Sequence, residues 1–344
     1  MSDVEFLVHS GIGRIILNRP RALNALTHDM VRAITSHLDH WREDPAVRAV
    51  AVDGAGDRGL CAGGDIRSIY DDARAGGTAS LGFWADEYRM NATIAAYPKP
   101  YLAIMDGLVM GGGVGVSAHG SHRVVTDRSR IAMPEVGIGF VPDVGGTYLL
   151  SRAPGELGTH AALTATQLSG ADAIHCGLAD HYVPANRLPD LFDALAANTP
   201  DAAIASVADP SPPSPLAAES TWINHCYTAD SVEEILGRLR DGGETAVAAA
   251  KTIEGKSPTA LKVALRALRT AATLPDLETV LAQEYRISRH AFASPEFTEG
   301  IRAQIVDKDR SPRWSPATLP EVDDNLVDAY FADLGPDEWT GVTR

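Results

Sequence analysis

Two acidic residues stand in an apolar, glycine-rich stretch of the sequence. Glu135 follows Met133-Pro134, and Asp143 follows Phe140-Val141-Pro142 eight residues later. Burial raises the pKa of a carboxylic acid, and two neighbouring carboxylates push their pKa values apart. Such a pair can divide the roles of acid, base and nucleophile, so Glu135 and Asp143 are the first candidates for chemistry.

Two glycine-rich segments could bind an oxygen atom of the substrate through their backbone. They are Leu60-Cys61-Ala62-Gly63-Gly64-Asp65-Ile66 and Met110-Gly111-Gly112-Gly113-Val114-Gly115. Each follows a predicted strand and precedes a predicted helix, so backbone N–H groups from both can converge and stabilise an oxygen that gains negative charge. Taken alone, a triple glycine is more often a turn or a tight helix contact, and Pro-Glu-x-Gly is usually the start of a helix. The glycine-rich segments and the acidic stretch become a specific indication of a catalytic site only because they occur together, in one order along the chain.

The elements that would position these residues can be predicted from periodicity. Alternation and β-branched runs predict strands over 4–8, 14–18, 47–52, 101–105 and near 122–126, and helical spacing predicts a helix over 28–43. The turn Ser10-Gly11-Ile12-Gly13 separates the first two strands. Strands that alternate with helices favour an α/β fold with a parallel sheet and crossover helices. No G-x-G-x-x-G follows the first strand, which argues against a dinucleotide-binding fold.

A proline-rich segment divides the chain. The prolines of residues 209–215 can continue neither a helix nor a central strand, so this segment should be an extended connector. Beyond it the pattern is helical, with Ser257-Pro258 as the cap and first residue of one helix. We therefore expect a core over residues 1–205 and a helical region with an extended tail over residues 206–344.

The composition restricts the class of protein. A formal net charge of −15 argues against nucleic acid as a partner, and no apolar run reaches the roughly 20 residues that a membrane helix needs. The acidic start lacks the features of a signal peptide, which predicts a cytoplasmic protein. Three widely spaced cysteines predict buried, reduced thiols. There are eleven histidines but no Gly-x-Ser-x-Gly elbow, so we expect structural roles for His119, His122 and His160 rather than a serine hydrolase triad.

Together with Asn18-Arg19-Pro20-Arg21-Ala22-Leu23-Asn24-Ala25-Leu26, these motifs resemble the crotonase (enoyl-CoA hydratase/isomerase) superfamily over about residues 3–190. The resemblance implies a spiral of ββα units followed by a helical region. It also implies an acyl-CoA substrate with no separate cofactor or metal, and an oxyanion hole formed by the N–H groups of Gly64 and Gly112. The residues that it assigns to the substrate are Arg21, Ala22, Leu23, Ala62, Gly63, Asp65, Ile66 and Gly111, with Arg21 as a candidate phosphate contact.

Three further positions distinguish branches of the superfamily. Hydratases carry a glutamate where this chain has Gly115, and usually a glycine where it has Asp143. The patterns around Asp143 and around Glu87, in Glu87-Tyr88-x-x-Asn91, resemble those of the 3-hydroxyisobutyryl-CoA hydrolases. In these enzymes the glutamate that corresponds to Glu87 lies at the substrate. The expected reaction is hydrolysis of a short branched 3-hydroxyacyl-CoA, with Glu135 as general base or nucleophile and Asp143 at the substrate hydroxyl. An enoyl-CoA hydratase or isomerase, and a non-catalytic acyl-CoA-binding protein, are the alternatives. The resemblance leaves the oligomeric state open, a homo-oligomer included.

Overall fold

The computed structural model describes residues 2–341. Residue 1, with which the predicted core begins, and residues 342–344, with which the predicted tail ends, lie outside this range. The strands are β1 (Val4–His9), β2 (Ile12–Leu17), β3 (Ala49–Gly54), β4 (Gly59–Cys61), β5 (Tyr101–Met105), β6 (Leu108–Met110), β7 (His122–Val125), β8 (Arg130–Ala132), β9 (Leu168–Ser169) and β10 (His181–Tyr182).

The α-helices are α1 (His28–Glu43), α2 (Ile66–Arg74), α3 (Ala79–Ala95), α4 (Gly112–Gly115), α5 (Gly146–Leu150), α6 (Leu157–Thr164), α7 (Gly170–His175), α8 (Leu188–Ala197), α9 (Pro200–Val207), α10 (Pro215–Ala218), α11 (Ser220–Tyr227), α12 (Val232–Arg240), α13 (Glu244–Glu254), α14 (Pro258–Ala271), α15 (Leu277–Ala293), α16 (Pro295–Ile301) and α17 (Asp324–Ala329). None of the helices within residues 2–341 is long and apolar enough to cross a membrane.

The chain forms two compact units, and each is built from separate stretches of sequence. The first unit combines Met1–Gly64, Asp86–Ala132 and Gln167–Pro215. The second combines Asp65–Ala85, Met133–Thr166 and Leu216–Arg344. The sequence predicts a division into two consecutive regions at residue 205, which is a different kind of division from these compact units. It stays a prediction.

Two sheets make up the first unit. The larger has the strand order β1-β2-β3-β5-β7-β10, in which only the β1–β2 pair is antiparallel. The smaller has the order β4-β6-β8-β9, with an antiparallel β8–β9 pair. The pairs β3–β4, β5–β6 and β7–β8 each send their first strand to the larger sheet and their second to the smaller. The fold therefore repeats a structural unit although the sequence shows no repeat.

The observed strands differ from the predicted ones mainly at their ends. The turn between β1 and β2 contains only Ser10 and Gly11, both with positive φ angles of 49° and 79°, because Ile12 already pairs with His9. A two-residue turn of this kind matches the twist of the strands that it joins. β3 lies two residues later than the predicted strand, since its register with β2 continues from Ala49 to Gly54.

Helix α1 spans the predicted residues. Thr27 caps it by accepting a hydrogen bond from the N–H of Met30, and its apolar stripe is buried. On the larger sheet, residues of α8 and α9 such as Leu191, Leu195 and Ile204 pack against Leu102 and Ile104. Full burial of such a side chain contributes about 1.5–3 kcal/mol.

The second unit is helical, as the sequence predicts for the region after the proline-rich connector. Ser257 caps α14 by accepting from the N–H of Ala260, and Pro258 is the first residue of that helix. Residues 210–214 have no regular secondary structure up to the start of α10, and the predicted extended conformation stays a prediction. Residues 307–341 of the tail are mostly irregular and include the short helix α17.

Candidate active site

In the first unit, the two glycine segments meet. A Cβ atom added to Gly112 would lie 3.3 Å from the backbone nitrogen of Gly64. Gly112 is the first residue of α4, and the first N–H groups of a helix have no acceptor within that helix. The structure therefore brings the two predicted glycine loops together, and their role as an oxyanion hole stays a prediction.

Glu87 belongs to the same group of residues. It is 2% exposed and lies on α3. A Cβ atom added to Gly112 would lie only 2.5 Å from Oε1 of Glu87. A carboxyl group that the sequence predicts at the substrate therefore contacts the predicted oxyanion loop.

The segment predicted to hold coenzyme A runs beside the first glycine loop. The N–H of Leu26 donates to the carbonyl of Gly63 at 2.8 Å, and the N–H of Ala62 donates to the carbonyl of Leu23 at 3.0 Å. Leu23 and Asn24 both have left-handed backbone angles, with φ of 53° and 56°. This unusual turn brings the predicted residues 21–23 and 62–64 together.

The side chain of Asn24 explains how that turn is held. Its amide donates to the carbonyls of Ala55 and Gly59, each at 3.0 Å, and its carbonyl accepts from the N–H of Arg19 at 2.9 Å. Asn24 is 1% exposed, whereas Arg21 and Ala22 beside it are exposed. The exposure of Arg21 is compatible with the predicted contact to a phosphate, which stays a prediction.

In the second unit, Glu135 is a buried acid. It is the first residue of a short 3-10 helix, Glu135–Ile138, and it is 6% exposed. Its Oε2 atom is buried without a hydrogen-bond partner among the described residues. Burial first, and then the charges of Asp143 and Glu284, raise its pKa well above the ordinary glutamate value. The burial and the raised pKa of Glu135 are compatible with its predicted role as base or nucleophile, which stays a prediction.

Asp143 is 5% exposed and is carried by a strained turn of the second unit. The next residue, Val144, has φ of 52°, and Gly145 has φ of 79°. A positive φ is rare for a β-branched residue and persists only where the surroundings enforce it. The structure brings Asp143 close enough to Glu135 for its charge to raise the Glu135 pKa. The N-cap of α5 is Gly145, so Asp143 is not the capping residue of that helix.

A third buried acid, Glu284, is missing from the predicted site. It lies on α15, is 0% exposed, and accepts hydrogen bonds from the N–H groups of Gly145 at 2.7 Å and Thr147 at 3.0 Å, and from the Thr147 hydroxyl. Burial raises its pKa to about 8, with a contribution from the charge of Asp143. One signal could have identified it: Glu284 shares the helical stripe of Leu277, Leu281 and Ser288, where apolar residues are expected.

Four other predicted residues have structural environments of their own. Asp65 caps α2 by accepting from the N–H of Ser68, and Ile66 is the first residue of that helix. Gly111 is the N-cap of α4, with φ of 49°. Gly63 has φ of 105°, which favours glycine.

The cysteines and two of the histidines lie in environments that fit a structural role. All three cysteines are free and buried, as predicted. His160 is buried, its Nδ1 lies 2.9 Å from the hydroxyl of Tyr227, and burial lowers its pKa to about 4. His122 pairs with Asp201. These environments account for His160 and His122 as packing and surface residues.

This chain is similar to known proteins in both sequence and fold. The family model described as enoyl-CoA hydratase/isomerase matches residues 12–331. A relative from Gallus gallus, named 3-hydroxyisobutyryl-CoA hydrolase, mitochondrial, is 40% identical over 346 residues, covering 97% of this chain and 90% of that protein.

Two solved structures are similar over almost the whole chain. The structure of a carnitinyl-CoA dehydratase from Mycobacterium thermoresistibile is 54% identical with a TM-score of 0.96, and the match covers 99% of both chains. That of an enoyl-CoA hydratase from Rhodobacter sphaeroides is 41% identical with a TM-score of 0.93, covering 98% of this chain and 100% of the other. These matches confirm the predicted α/β fold, a crotonase-type spiral of ββα units with a C-terminal helical region. The chain therefore belongs to the enoyl-CoA hydratase/isomerase (crotonase) superfamily.

Proposed function

We propose that this protein is a thioester hydrolase that converts 3-hydroxyisobutyryl-CoA, a short branched 3-hydroxyacyl-CoA, to 3-hydroxyisobutyrate and coenzyme A. The observation that carries the proposal is the buried Glu135–Asp143 pair, in which Asp143 stands where hydratases usually have glycine. The name of the Gallus gallus relative supports the same reaction. In metabolism this reaction would belong to valine degradation.

The proposed chemistry begins at the thioester carbonyl. Its oxygen accepts hydrogen bonds from the N–H groups of Gly64 and Gly112, which stabilise the negative charge of the tetrahedral intermediate. Loss of one such donor typically lowers the rate by about 100-fold or more. Glu87, which contacts Gly112, contributes to the polar surroundings of the acyl group.

Glu135 supplies the base or the nucleophile in this proposal. As a base, it takes a proton from the attacking water; the carbon–sulfur bond of the tetrahedral intermediate then breaks, and the coenzyme A thiolate takes up that proton. As a nucleophile, its Oε2 attacks the carbonyl carbon, the carbon–sulfur bond breaks to leave an anhydride, and the coenzyme A thiolate takes up a proton from solvent. Water then hydrolyses the resulting anhydride and restores the carboxylate. Both routes need ionised Glu135 at the start, so activity should fall as the pH drops through its raised pKa.

Asp143 accounts for substrate selectivity in the proposal. A carboxylate accepts hydrogen bonds, and we expect the 3-hydroxyl group of the substrate to donate one to Asp143. A site built to bind a hydroxyl group discriminates strongly against an analogue that lacks it. Hydrolysis should therefore be much faster with 3-hydroxyisobutyryl-CoA than with isobutyryl-CoA.

Thiol release from both thioesters tests this function. We expect the wild-type enzyme to prefer the 3-hydroxy thioester by about 100-fold or more, and the Asp143→Ala variant to lose most of this preference together with much of its rate. Equal wild-type rates on both substrates would refute the substrate class. Unchanged selectivity in the variant would refute the role of Asp143.

Hydration or dehydration of the acyl chain is the second candidate function. The two similar solved structures are of a dehydratase and a hydratase, which favours it, whereas Gly115 leaves no acid where hydratases carry a glutamate. Mass spectrometry separates the two reactions, because hydration adds water to an intact enoyl-CoA while hydrolysis releases free coenzyme A. Neither product would form on a non-catalytic acyl-CoA-binding protein.

The proposed function also includes expectations about cofactors, cellular location and oligomeric state. We expect hydrolysis to need no metal or cofactor, so a chelator should leave the rate unchanged. The predicted cytoplasmic location is untested, and the relative from Gallus gallus is named mitochondrial. Cell fractionation and sedimentation would determine the location and the oligomeric state.

A further inference from the structure

Glu284 is a buried titratable group that the proposed mechanism does not use. It is completely buried and lies 139 residues from Gly145 in the sequence, yet its two oxygens bind the backbone on both sides of Gly146. Oε2 accepts from Gly145, and Oε1 accepts from the N–H and the hydroxyl of Thr147. A fully buried carboxyl group with three donors is a costly feature, which α15 would not need for packing alone.

The segment that Glu284 binds is the one that carries Asp143. Val144 and Gly145 are consecutive left-handed residues, and the N–H of Gly146 donates to the Asp143 carbonyl at 2.6 Å. Without an external restraint, Val144 would relax to an ordinary negative φ and rotate the Asp143 side chain. The two hydrogen bonds to backbone N–H groups supply that restraint directly after Val144.

We propose that Glu284 is a positioning residue for the thioester hydrolysis: it holds the Val144–Gly145 turn and thereby fixes the Asp143 carboxyl group relative to Glu135. This inference rests on the proposed function. It assigns the substrate selectivity of Asp143 to a side chain on a distant helix.

The charges around the three acids are consistent with this role. Asp143 and Glu284 are the charged groups that act on Glu135, and Asp143 is the one that acts on Glu284. Charged side chains on the neighbouring helices α14 and α16 are directed to other partners: Arg266 to Asp328, Arg269 to Glu156, Glu296 to Ser257, and Glu299 to Arg302. Lys256 lies near Gly137, with Nζ 3.7 Å from the position of an added Cβ.

The test is Glu284→Gln, assayed with 3-hydroxyisobutyryl-CoA and isobutyryl-CoA across a pH range. The amide keeps the size but presents an NH2 group to one of the two backbone donors, so the turn should lose its restraint. We expect kcat/KM for the 3-hydroxy thioester to fall about tenfold, as for one buried backbone donor left without its acceptor, and the preference over isobutyryl-CoA to shrink.

The acid limb of the pH profile provides a readout that a merely structural role would not move. Glu284 is ionised only as the pH rises to about 8, and its charge then raises the pKa of Glu135. Its removal should therefore lower that pKa wherever Glu284 is ionised, and shift that part of the limb to lower pH. The matched control is Glu296→Gln, another buried acid of this unit, which accepts from Ser257. It should leave both the selectivity and the limb within about twofold of wild type.

The outcomes separate this inference from the proposed function. If the wild-type enzyme releases no thiol from either substrate, the proposed function fails. If the wild-type enzyme is selective and folded Glu284→Gln keeps the wild-type selectivity and acid limb, the positioning role is overturned. Should Glu284→Gln not fold, Thr147→Val removes one donor to the same carboxyl group. A loss of selectivity of about threefold is expected there, and unchanged selectivity would refute the role.

Discussion

At the scale of single residues, the unsatisfied oxygen of Glu135 is the most informative feature of the site. Proteins rarely leave a buried polar atom without a partner, and the exceptions often mark functional positions. Oε2 of Glu135 is such an atom among the described residues, and burial raises the pKa of the group. The environment of Glu135 is therefore costly for the folded protein, as expected for a group kept for chemistry.

Glu135→Gln should separate this chemical role from a role in folding. The amide has nearly the same shape but can neither take up the proton of water nor attack a thioester, so kcat should fall about 100-fold or more with KM little changed. Steady-state kinetics of thiol release measures both constants.

Thermal unfolding is the control for Glu135→Gln. A buried carboxyl group without a partner on Oε2 contributes little to stability, so the melting temperature should stay the same or rise. A variant that hydrolyses 3-hydroxyisobutyryl-CoA at nearly the wild-type rate would contradict the assignment of Glu135.

At the scale of elements, the start of α4 combines three requirements. Gly111 has a positive φ, Gly112 leaves no room for a side chain beside Glu87, and the helix begins at Gly112, so that its first N–H groups have no acceptor within the helix. Four residues from Gly112 to Gly115 form the whole helix. Such a short helix has little intrinsic stability, so its function depends on the surrounding packing.

Gly112→Val tests this element. The added Cβ would lie 2.5 Å from the Glu87 carboxyl and 3.3 Å from the Gly64 nitrogen, so either the side chain or the helix start must move. We expect thiol release to fall by about 100-fold or more, comparable to the loss of an oxyanion donor. The rate of thiol release, together with a circular dichroism spectrum to establish folding, provides the measurement.

The control for Gly112→Val is the same substitution at a glycine with free space. An added Cβ at Gly237 in α12 would meet no atom within 4 Å. Valine is at least as good a helix former as glycine, so Gly237→Val should keep wild-type activity. Full activity in folded Gly112→Val would mean that the glycine loop has only a structural role.

At the scale of the whole molecule, buried acids should make stability depend on pH. Burial raises the pKa of Glu284 from its ordinary value of 4.5 to about 8. The folded state therefore holds this proton more tightly than the unfolded state. By linkage, the contribution of Glu284 to stability is fully present below about pH 4.5 and is lost as the pH rises to about 8.

Denaturant unfolding of wild type and Glu284→Gln at several pH values measures this effect. Glutamine does not titrate, so the free energy of unfolding of the variant should improve relative to wild type as the pH rises from about 4.5 to about 8. The difference between the two proteins cancels the general repulsion that comes from a net charge of −15. A difference that is constant with pH would contradict the raised pKa.

The sequence alone determined the features that depend on neighbours along the chain. The bounds of α1 follow from the Thr27 cap and from apolar spacing, and the start of α14 follows from Ser257-Pro258. The glycine segments could be assigned to strand–helix junctions for the same reason. Caps, turns and periodicity involve groups within about four residues, so they can be read locally.

Only the tertiary structure determined which distant groups share a site. Glu284 reaches Gly145 across 139 residues, and the unusual φ of Val144 has no signature in its own segment. The membership of each strand in one of two sheets, and of each stretch in one of two units, depends equally on long-range pairing. The pKa of Glu135 is raised by burial and by the charges of Asp143 and Glu284, and the pKa of Glu284 by burial and by the charge of Asp143. These are properties of the folded chain rather than of any local sequence pattern.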